Sequence, residues 1–124
     1  MEARVSQERL ERLRGYPVCD RVGIVIGYLE EVFYDNATQL PEWLGVAAGF
    51  LGTKLVIVPV AGARAGFDGL AVAYARGLVE AAPGLCDDEL DEATENELTA
   101  HYGLAFRASR HAGVAGIPGI RRRG

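Results

Sequence analysis

The sequence has few of the residues that catalytic and metal sites most often use. It contains two cysteines, two histidines and two serines, and Cys19 and Cys86 lie too far apart to form a metal-binding or redox motif. We therefore expect free, buried thiols, no metal site and no cofactor. Because His101 and His111 do not lie beside a nucleophile motif or an orienting acid, we also expect a protein that is not an enzyme.

Neither a signal peptide nor a membrane-spanning helix is expected from the sequence. Its first 15 residues, MEARVSQERLERLRG, are charged throughout, which predicts a cytoplasmic protein with reduced thiols. Residues 43–63 are mostly apolar and long enough to span a bilayer. However, Gly45, Gly49, Gly52 and Pro59 interrupt this run and Lys54 lies near its middle. Two strands around a glycine turn are therefore favoured.

The net charge of the chain is small, and its acidic and basic residues are concentrated in different segments. The net charge of −4 argues against a dedicated duplex-DNA binder, which leaves nucleic acid as a minority alternative. Residues 80–97 contain eight acidic residues and no basic one, whereas the stretch after residue 106 contains five arginines and no acid. We expect residues 105–124 to form a flexible tail that stays solvated or contacts RNA or anionic lipid. Its arginines are Arg107, Arg110, Arg121, Arg122 and Arg123.

The fold class is indicated by short runs of β-branched and aromatic residues that alternate with turn signals. These runs predict six strands at residues 16–19, 23–34, 41–47, 53–59, 63–66 and 69–73. In a single domain of 124 residues, six short strands are most economically closed into an antiparallel β-barrel, because closure removes exposed edges.

Three short helices are predicted from the residues that cap or stop them. They are residues 6–14 with Ser6 as N-cap and Gly15 after the end, residues 74–81 stopped by Pro83, and residues 92–102 with Asp91 as N-cap and Gly103 as C-cap. The fold class is therefore mainly β with short N-terminal and C-terminal helices.

Two further patterns suggest ligand sites but have simpler structural interpretations. The glycines of residues 45–52 resemble a phosphate-binding loop, yet no GK[ST] follows them and a hairpin loop is favoured. The carboxylate pairs Glu30–Glu31 and Asp87–Asp88 offer oxygen ligands for a divalent cation. A strand edge and a helix-capping loop explain the same pairs.

The order of several short motifs resembles the PRC-barrel domain family, which includes the cytoplasmic domain of the photosynthetic reaction centre H subunit and the C-terminal domain of a ribosome maturation factor. The motifs are PEW at 41–43, VPV at 58–60, VxxAP at 79–83 and HYG at 101–103. The resemblance covers residues 15–104 and implies a small six-stranded barrel. Residues 1–14 form an added N-terminal helical segment and residues 105–124 the tail.

The residues that mark this resemblance are expected to be structural: Gly23, Gly27, Pro41, Glu42, Trp43, Pro59, Pro83, His101, Tyr102 and Gly103. Trp43 is expected to cover the barrel interior and to seek one hydrogen-bond acceptor, with a partner contact as the alternative, while Glu42 points to water. Pro59 is expected to end a strand and Gly27 to permit a bulge. His101 is expected to face helix-terminal carbonyls.

The resemblance implies a non-enzymatic protein-interaction or adaptor module, and we expect it to form a homo-oligomer, most simply a dimer. Two alternatives follow from the named relatives: a ribosome- or RNA-associated factor, and an accessory protein of a membrane electron-transfer complex. A deep pocket with converging ionisable groups would instead indicate an enzyme. The chain contains twelve arginines but a single lysine, Lys54. This excess of arginine indicates a GC-rich bacterial genome, and an actinobacterial source is predicted.

Overall fold

The computed structural model describes residues 5–85, 90–104 and 120–122. Its strands are β1 (Pro17–Cys19), β2 (Val25–Asp35), β3 (Pro41–Ala48), β4 (Lys54–Pro59), β5 (Arg64–Ala65), β6 (Leu70–Ala71) and β7 (Ile120–Arg122). Its helices are α1 (Gln7–Arg12), α2 (Arg76–Glu80) and α3 (Glu92–His101), and a 3-10 turn at Phe50–Gly52 joins β3 to β4.

The strands form one mixed sheet in the order β4-β3-β2-β1-β6-β5, with β7 paired to β2. The mainly-β fold is confirmed, but two features of the predicted antiparallel barrel are wrong. Strands β1 and β6 are parallel, with Val18 opposite Leu70, and within the described ranges no ladder joins β4 to β5 to close the sheet. The parallel pair arises because β6 returns to β1 by a long crossover rather than a tight hairpin.

One layer of the core lies on one side of this sheet, and alternation along the strands selects its members. Facing residues in neighbouring strands are apolar and buried, as in the row Val32, Leu44 and Val58. Side chains of the same layer include Val18, Leu29, Val46, Val56 and Leu70. We call this side the inner face and the opposite side the outer face.

Gly27 fixes how closely the two longest strands approach one another. A Cβ atom added to Gly27 would lie 2.1 Å from the carbonyl oxygen of Ala47 in β3, so the position admits only glycine. Gly27 is paired with Val18 where the register of β1 and β2 shifts by a bulge. A close approach and a bulge therefore meet at this glycine.

The helix ends are defined by side-chain caps. The Ser6 hydroxyl accepts a hydrogen bond from the Arg9 N–H at 3.2 Å at the start of α1. At the start of α3 the Asp91 carboxylate accepts one from Thr94 at 2.8 Å, and the hydrogen bonds from Thr94 lower the pKa of this carboxyl. Gly103 follows α3 with φ +71°, a backbone conformation that favours glycine.

Part of the predicted flexible tail forms a strand. Ile120–Arg122 pair antiparallel with β2, where Phe33 faces Arg122, and residues 105–119 and 123–124 lie outside the described residues. Arg107, Arg110 and Arg123 are therefore not placed. Cys86 also lies outside, and Cys19 has a free thiol that is half-buried rather than buried.

Candidate functional site

The outer face of the sheet divides into two parts. We call the outer side of β3, β4 and the second part of β2 the covered half, because α2 and α3 pack on it. The indole Nε1 of Trp43 donates to Oε2 of Glu95 in α3 at 3.4 Å, and the Tyr102 hydroxyl donates to the Ile57 carbonyl. Trp43 is buried in the hydrophobic core, and its indole lies beside the ring of Tyr102.

The two helices of the covered half are also tied to each other and to the sheet. Nε2 of His101 lies 2.7 Å from the Leu78 carbonyl oxygen in α2, and Nζ of Lys54 donates to the Glu80 carbonyl at 3.3 Å. The rings of Tyr74 and Tyr102 are 4.9 Å apart, and burial raises the pKa of Tyr102. His101 therefore bonds a carbonyl of α2 and holds the two helices together.

We call the outer side of β1, β5, β6 and the start of β2 the open half. Here Pro17 faces Tyr28, Cys19 faces Val25, and no helix within the described ranges lies over them. A groove of about 510 Å³ runs along this surface. Small or apolar residues form most of its lining: Pro17, Cys19, Val25, Ala65, Gly66, Gly69, Leu70 and Ala71.

One aromatic side chain stands beside this groove without any cover. Phe67 and Asp68 form the two-residue turn between β5 and β6, which the Gly66 N–H closes by donating to the Gly69 carbonyl at 2.8 Å. The side chain of Phe67 is 102% exposed. Six of the nine large exposed hydrophobic residues among those described belong to the open half and its adjoining turns: Tyr16, Val22, Ile24, Val25, Tyr28 and Phe67.

Charged side chains stand at the margins of this apolar surface. Arg64 and Asp68 complete the lining of the groove, one in β5 and one in the turn. Phe67 itself lines a smaller cavity of about 290 Å³, together with Arg9, Arg12 and other residues that include Tyr16. The open half is thus apolar at its centre and charged at its rim.

A buried carboxylate connects the open half with the helical part of the molecule. Asp20, which is 3% exposed, accepts hydrogen bonds from Val22 and Ile24 at 2.9 Å and from the Arg76 N–H of α2 at 3.2 Å. Burial alone would raise the pKa of Asp20, but these backbone donors together lower it. Asp20 is therefore an ionised structural bridge between the β1–β2 turn and α2.

Other buried carboxylates also serve structure. Glu42 is 8% exposed, so the prediction that it points to water is wrong. Arg14 donates to Glu11 at 2.8 Å and lies 3.5 Å from buried Glu31, while the Tyr34 hydroxyl donates to Glu11 at 2.7 Å. The hydrogen bond with Glu11 raises the pKa of Arg14. These contacts join α1 to β2.

The described residues do not form a metal site. No group of three His, Cys, Asp or Glu side chains within them is arranged to hold a metal ion. Glu30 is exposed while its neighbour Glu31 is buried, and Asp87 and Asp88 lie outside the described residues. The glycine-rich residues 45–52 form the end of β3 and the 3-10 turn.

The residues that mark the family resemblance lie mostly at element ends, and none of them lines the groove. Gly23 has φ +95° in the β1–β2 turn, Pro41 begins β3, Pro59 ends β4, and Pro83 follows α2. Sequence reasoning missed Phe67. Its signal was an aromatic residue directly before Asp68-Gly69, in a predicted two-residue turn where a polar side chain is usual.

The span of residues that carries the groove also has a recognisable relationship to known sequences. A family model described as PRC-barrel domain matches residues 6–78, which run from the N-cap of α1 into α2. No curated protein matches the chain. In the residues that the structure describes, no helix combines the length and the apolar character needed to cross a membrane.

Proposed function

This chain belongs to the PRC-barrel domain family, and from that premise we propose that it is a non-enzymatic protein-interaction module. The open half is the surface on which a protein partner docks. A partner that fits it presents apolar side chains to the groove and charged groups to the rim where Arg64 and Asp68 stand. The covered half serves stability and is already occupied by α2 and α3.

The full exposure of Phe67 beside an apolar groove is the observation that carries this proposal. Burying a phenylalanine side chain contributes about 1.5–3 kcal/mol, and this contribution is not realised in the isolated chain. Aromatic residues are enriched at the centres of protein interfaces, and contiguous apolar surface on a folded domain commonly marks such an interface.

The non-enzymatic part of the proposal is supported by the chemistry of the groove. Among the described residues that line it, the ionisable side chains are Cys19, Arg64 and Asp68. Hydrolytic or transfer chemistry needs a nucleophile or base oriented by a second polar group, and no histidine or second carboxylate lines the groove.

The test compares two surface variants of the tagged protein, Phe67→Asp and Leu40→Asp. Leu40 is a matched control because it is 52% exposed and lies beyond the far end of β2. A host protein recovered with the wild type is purified, and its dissociation constant is measured by calorimetry. We expect Phe67→Asp to weaken binding by at least about 30-fold, as for an interface hot spot, and Leu40→Asp to have little effect. Equal binding by both variants would overturn the proposal.

RNA binding is a second candidate, favoured by the cavity beside Phe67 that contains Arg9, Arg12 and Tyr16. Guanidinium groups next to aromatic rings suit a phosphate joined to a stacked base. Fluorescence anisotropy with a labelled single-stranded RNA decamer tests it, with Arg9→Ala/Arg12→Ala as the variant and Arg21→Ala as control. Loss of a salt-dependent signal in the double variant alone supports RNA binding, and no signal at low salt removes this candidate.

The cytoplasmic location and the accessory role in a membrane electron-transfer complex stay predictions. Cell fractionation distinguishes them, because an accessory protein of such a complex sediments with membranes. Recovery entirely in the fraction without membranes would contradict the accessory role.

A further inference from the structure

We infer that the occupant of the open half is a second copy of this chain, related by a two-fold axis, with Phe67 of each copy seated in the groove of the other. This inference rests on the proposed function, since it names the partner for the same surface. It requires no residue outside those that the structure describes.

The placement of Phe67 relative to the groove is the first reason. Gly66, Asp68 and Gly69, the immediate neighbours of Phe67, line the groove, yet the ring itself is fully exposed and fills no part of it. A projecting side chain next to an empty recess is a self-complementary arrangement. In a two-fold interface, each contact between two different residues occurs twice. A single two-fold axis beside the β5–β6 turn therefore places the Phe67 ring of each copy in the groove of the other copy.

Charge complementarity is the second reason. The groove is lined by one cation, Arg64, and one anion, Asp68, on opposite sides of Phe67 in the sequence. When two hairpins dock about a two-fold axis at the turn, Arg64 of each copy faces Asp68 of the other. The interface thus gains two pairs of unlike charges without placing like charges opposite each other.

The apolar area available is the third reason. A stable interface buries roughly 800 Å² on each partner, and one aromatic side chain supplies roughly 150–250 Å². Phe67 alone is insufficient, but Val25 and Tyr28 are 48% and 52% exposed on the same half, and Tyr16 is 42% exposed at the neighbouring smaller cavity. Together with the groove lining, these side chains add apolar surface beside the ring of Phe67.

Sedimentation velocity of the full chain over a range of concentrations is the direct test. We expect the mass to rise from 13.3 kDa toward twice that value. Phe67→Asp should raise the dimer dissociation constant at least about 100-fold, since each dimer loses two rings, and Leu40→Asp should leave it nearly unchanged. Unaltered circular dichroism of dilute Phe67→Asp excludes misfolding as the cause.

A charge exchange tests the two-fold geometry itself. Arg64→Asp and Asp68→Arg should each weaken self-association a few-fold, because each places like charges across the axis. Mixing the two variants should restore dimers that contain one chain of each, measurable by native mass spectrometry. Failure of the mixture to prefer the mixed dimer would overturn the two-fold docking of the hairpins.

The rate at which the Cys19 thiol is alkylated reports whether the groove is covered. In a Cys86→Ser background, alkylation of Cys19 should slow as concentration rises through the dissociation constant, and Phe67→Asp should abolish that slowing. A wild-type chain that stays at 13.3 kDa and shows a concentration-independent rate overturns the inference. The proposed function survives that result if Phe67→Asp still weakens binding of a purified host protein, and it fails separately if Phe67→Asp does not.

Discussion

The covered and open halves belong to the same face of the same sheet, yet helices bury the covered half and leave much of the open half exposed. A row of paired residues crosses from one to the other: Pro17 faces Tyr28, Tyr28 faces Ala47, and Ala47 faces Leu55. Toward β4 the row reaches the strands on which α2 and α3 pack, while toward β1 it meets water. Within the described residues, α2 and α3 pack on the covered half, and α2 meets the open half at the β1–β2 turn through Asp20. The sheet alone therefore does not determine which surface is buried.

The contacts of the two halves differ in kind as well as in extent. The covered half is joined to its helices by hydrogen bonds from Trp43, Tyr102 and Lys54, which require defined positions for both partners. The open half has an apolar groove with charged groups at the rim. A surface of that kind suits association between separate chains, because its burial is favourable without prior alignment of many polar groups.

Gly27 offers the strongest way to break the sheet that both halves share. Gly27→Ala should lower the free energy of unfolding by about 3 kcal/mol or more, because the added methyl group overlaps the Ala47 carbonyl oxygen. Urea unfolding measures the change. Gly77→Ala in α2 is the control: nothing lies within 4 Å of its Cβ position, and alanine favours helix, so stability should hold or rise. Equal losses in both variants would contradict the close approach at Gly27.

Asp20 allows the link between the open half and α2 to be tested by pH. Its folded-state pKa is lowered, so the ionised carboxyl stabilises the fold above about pH 4, and that stabilisation is lost as pH falls through the folded-state pKa. Asp20→Asn should therefore lower Tm at pH 7 by several degrees. The difference from wild type should shrink on acidification below pH 4.

Asp68→Asn is the control for this prediction, because Asp68 is exposed and lies in the β5–β6 turn. It should leave the Tm of the dilute chain nearly unchanged at pH 7. A Tm difference between wild type and Asp20→Asn that persists unchanged at pH 2 would show that charge at Asp20 is not what stabilises the turn.

Tyrosines on the two halves give a direct comparison of their roles in stability. Tyr102→Phe should lower the free energy of unfolding by about 1–2 kcal/mol, because the buried Ile57 carbonyl loses its donor. Tyr28→Phe, on the open half, should change it by less than about 0.5 kcal/mol, since Tyr28 is half-exposed. Chemical denaturation measures both. A larger loss at Tyr28 would reverse the assignment of covered and open halves.

The positions of the strands and helices were predictable from local sequence, whereas the division of the outer face was not. Capping by Ser6 and Asp91 and the glycine-spaced β-branched runs placed α1, α3 and the first six strands within a few residues of their observed ends. Local signals of this kind act over one turn of chain. The family was likewise predictable from short motifs, and the matching family model confirms it.

The contacts that distinguish the halves join residues far apart in the chain. Trp43 and Glu95 are separated by 52 positions, and no periodicity indicates that an indole in β3 meets a carboxylate in α3. The parallel pairing of β1 with β6 is equally non-local, which is why an antiparallel barrel was predicted. Regular alternation predicts that Glu42 points to water, but the register between β2 and β3 shifts beside this position and Glu42 is buried.

The smallest expected effect on stability belongs to Phe67, and its size distinguishes an interaction residue from a structural one. In dilute solution Phe67→Ser should change the free energy of unfolding by less than about 0.5 kcal/mol, because the ring contacts nothing that folding buries. The wild-type Tm should rise with protein concentration, as association stabilises the folded chain, and the Tm of Phe67→Ser should not. Leu40→Ser should behave like the wild type. If Phe67→Ser destabilises the dilute chain by more than about 1 kcal/mol, the ring packs within its own chain. The open half would then be a continuation of the core rather than a docking surface.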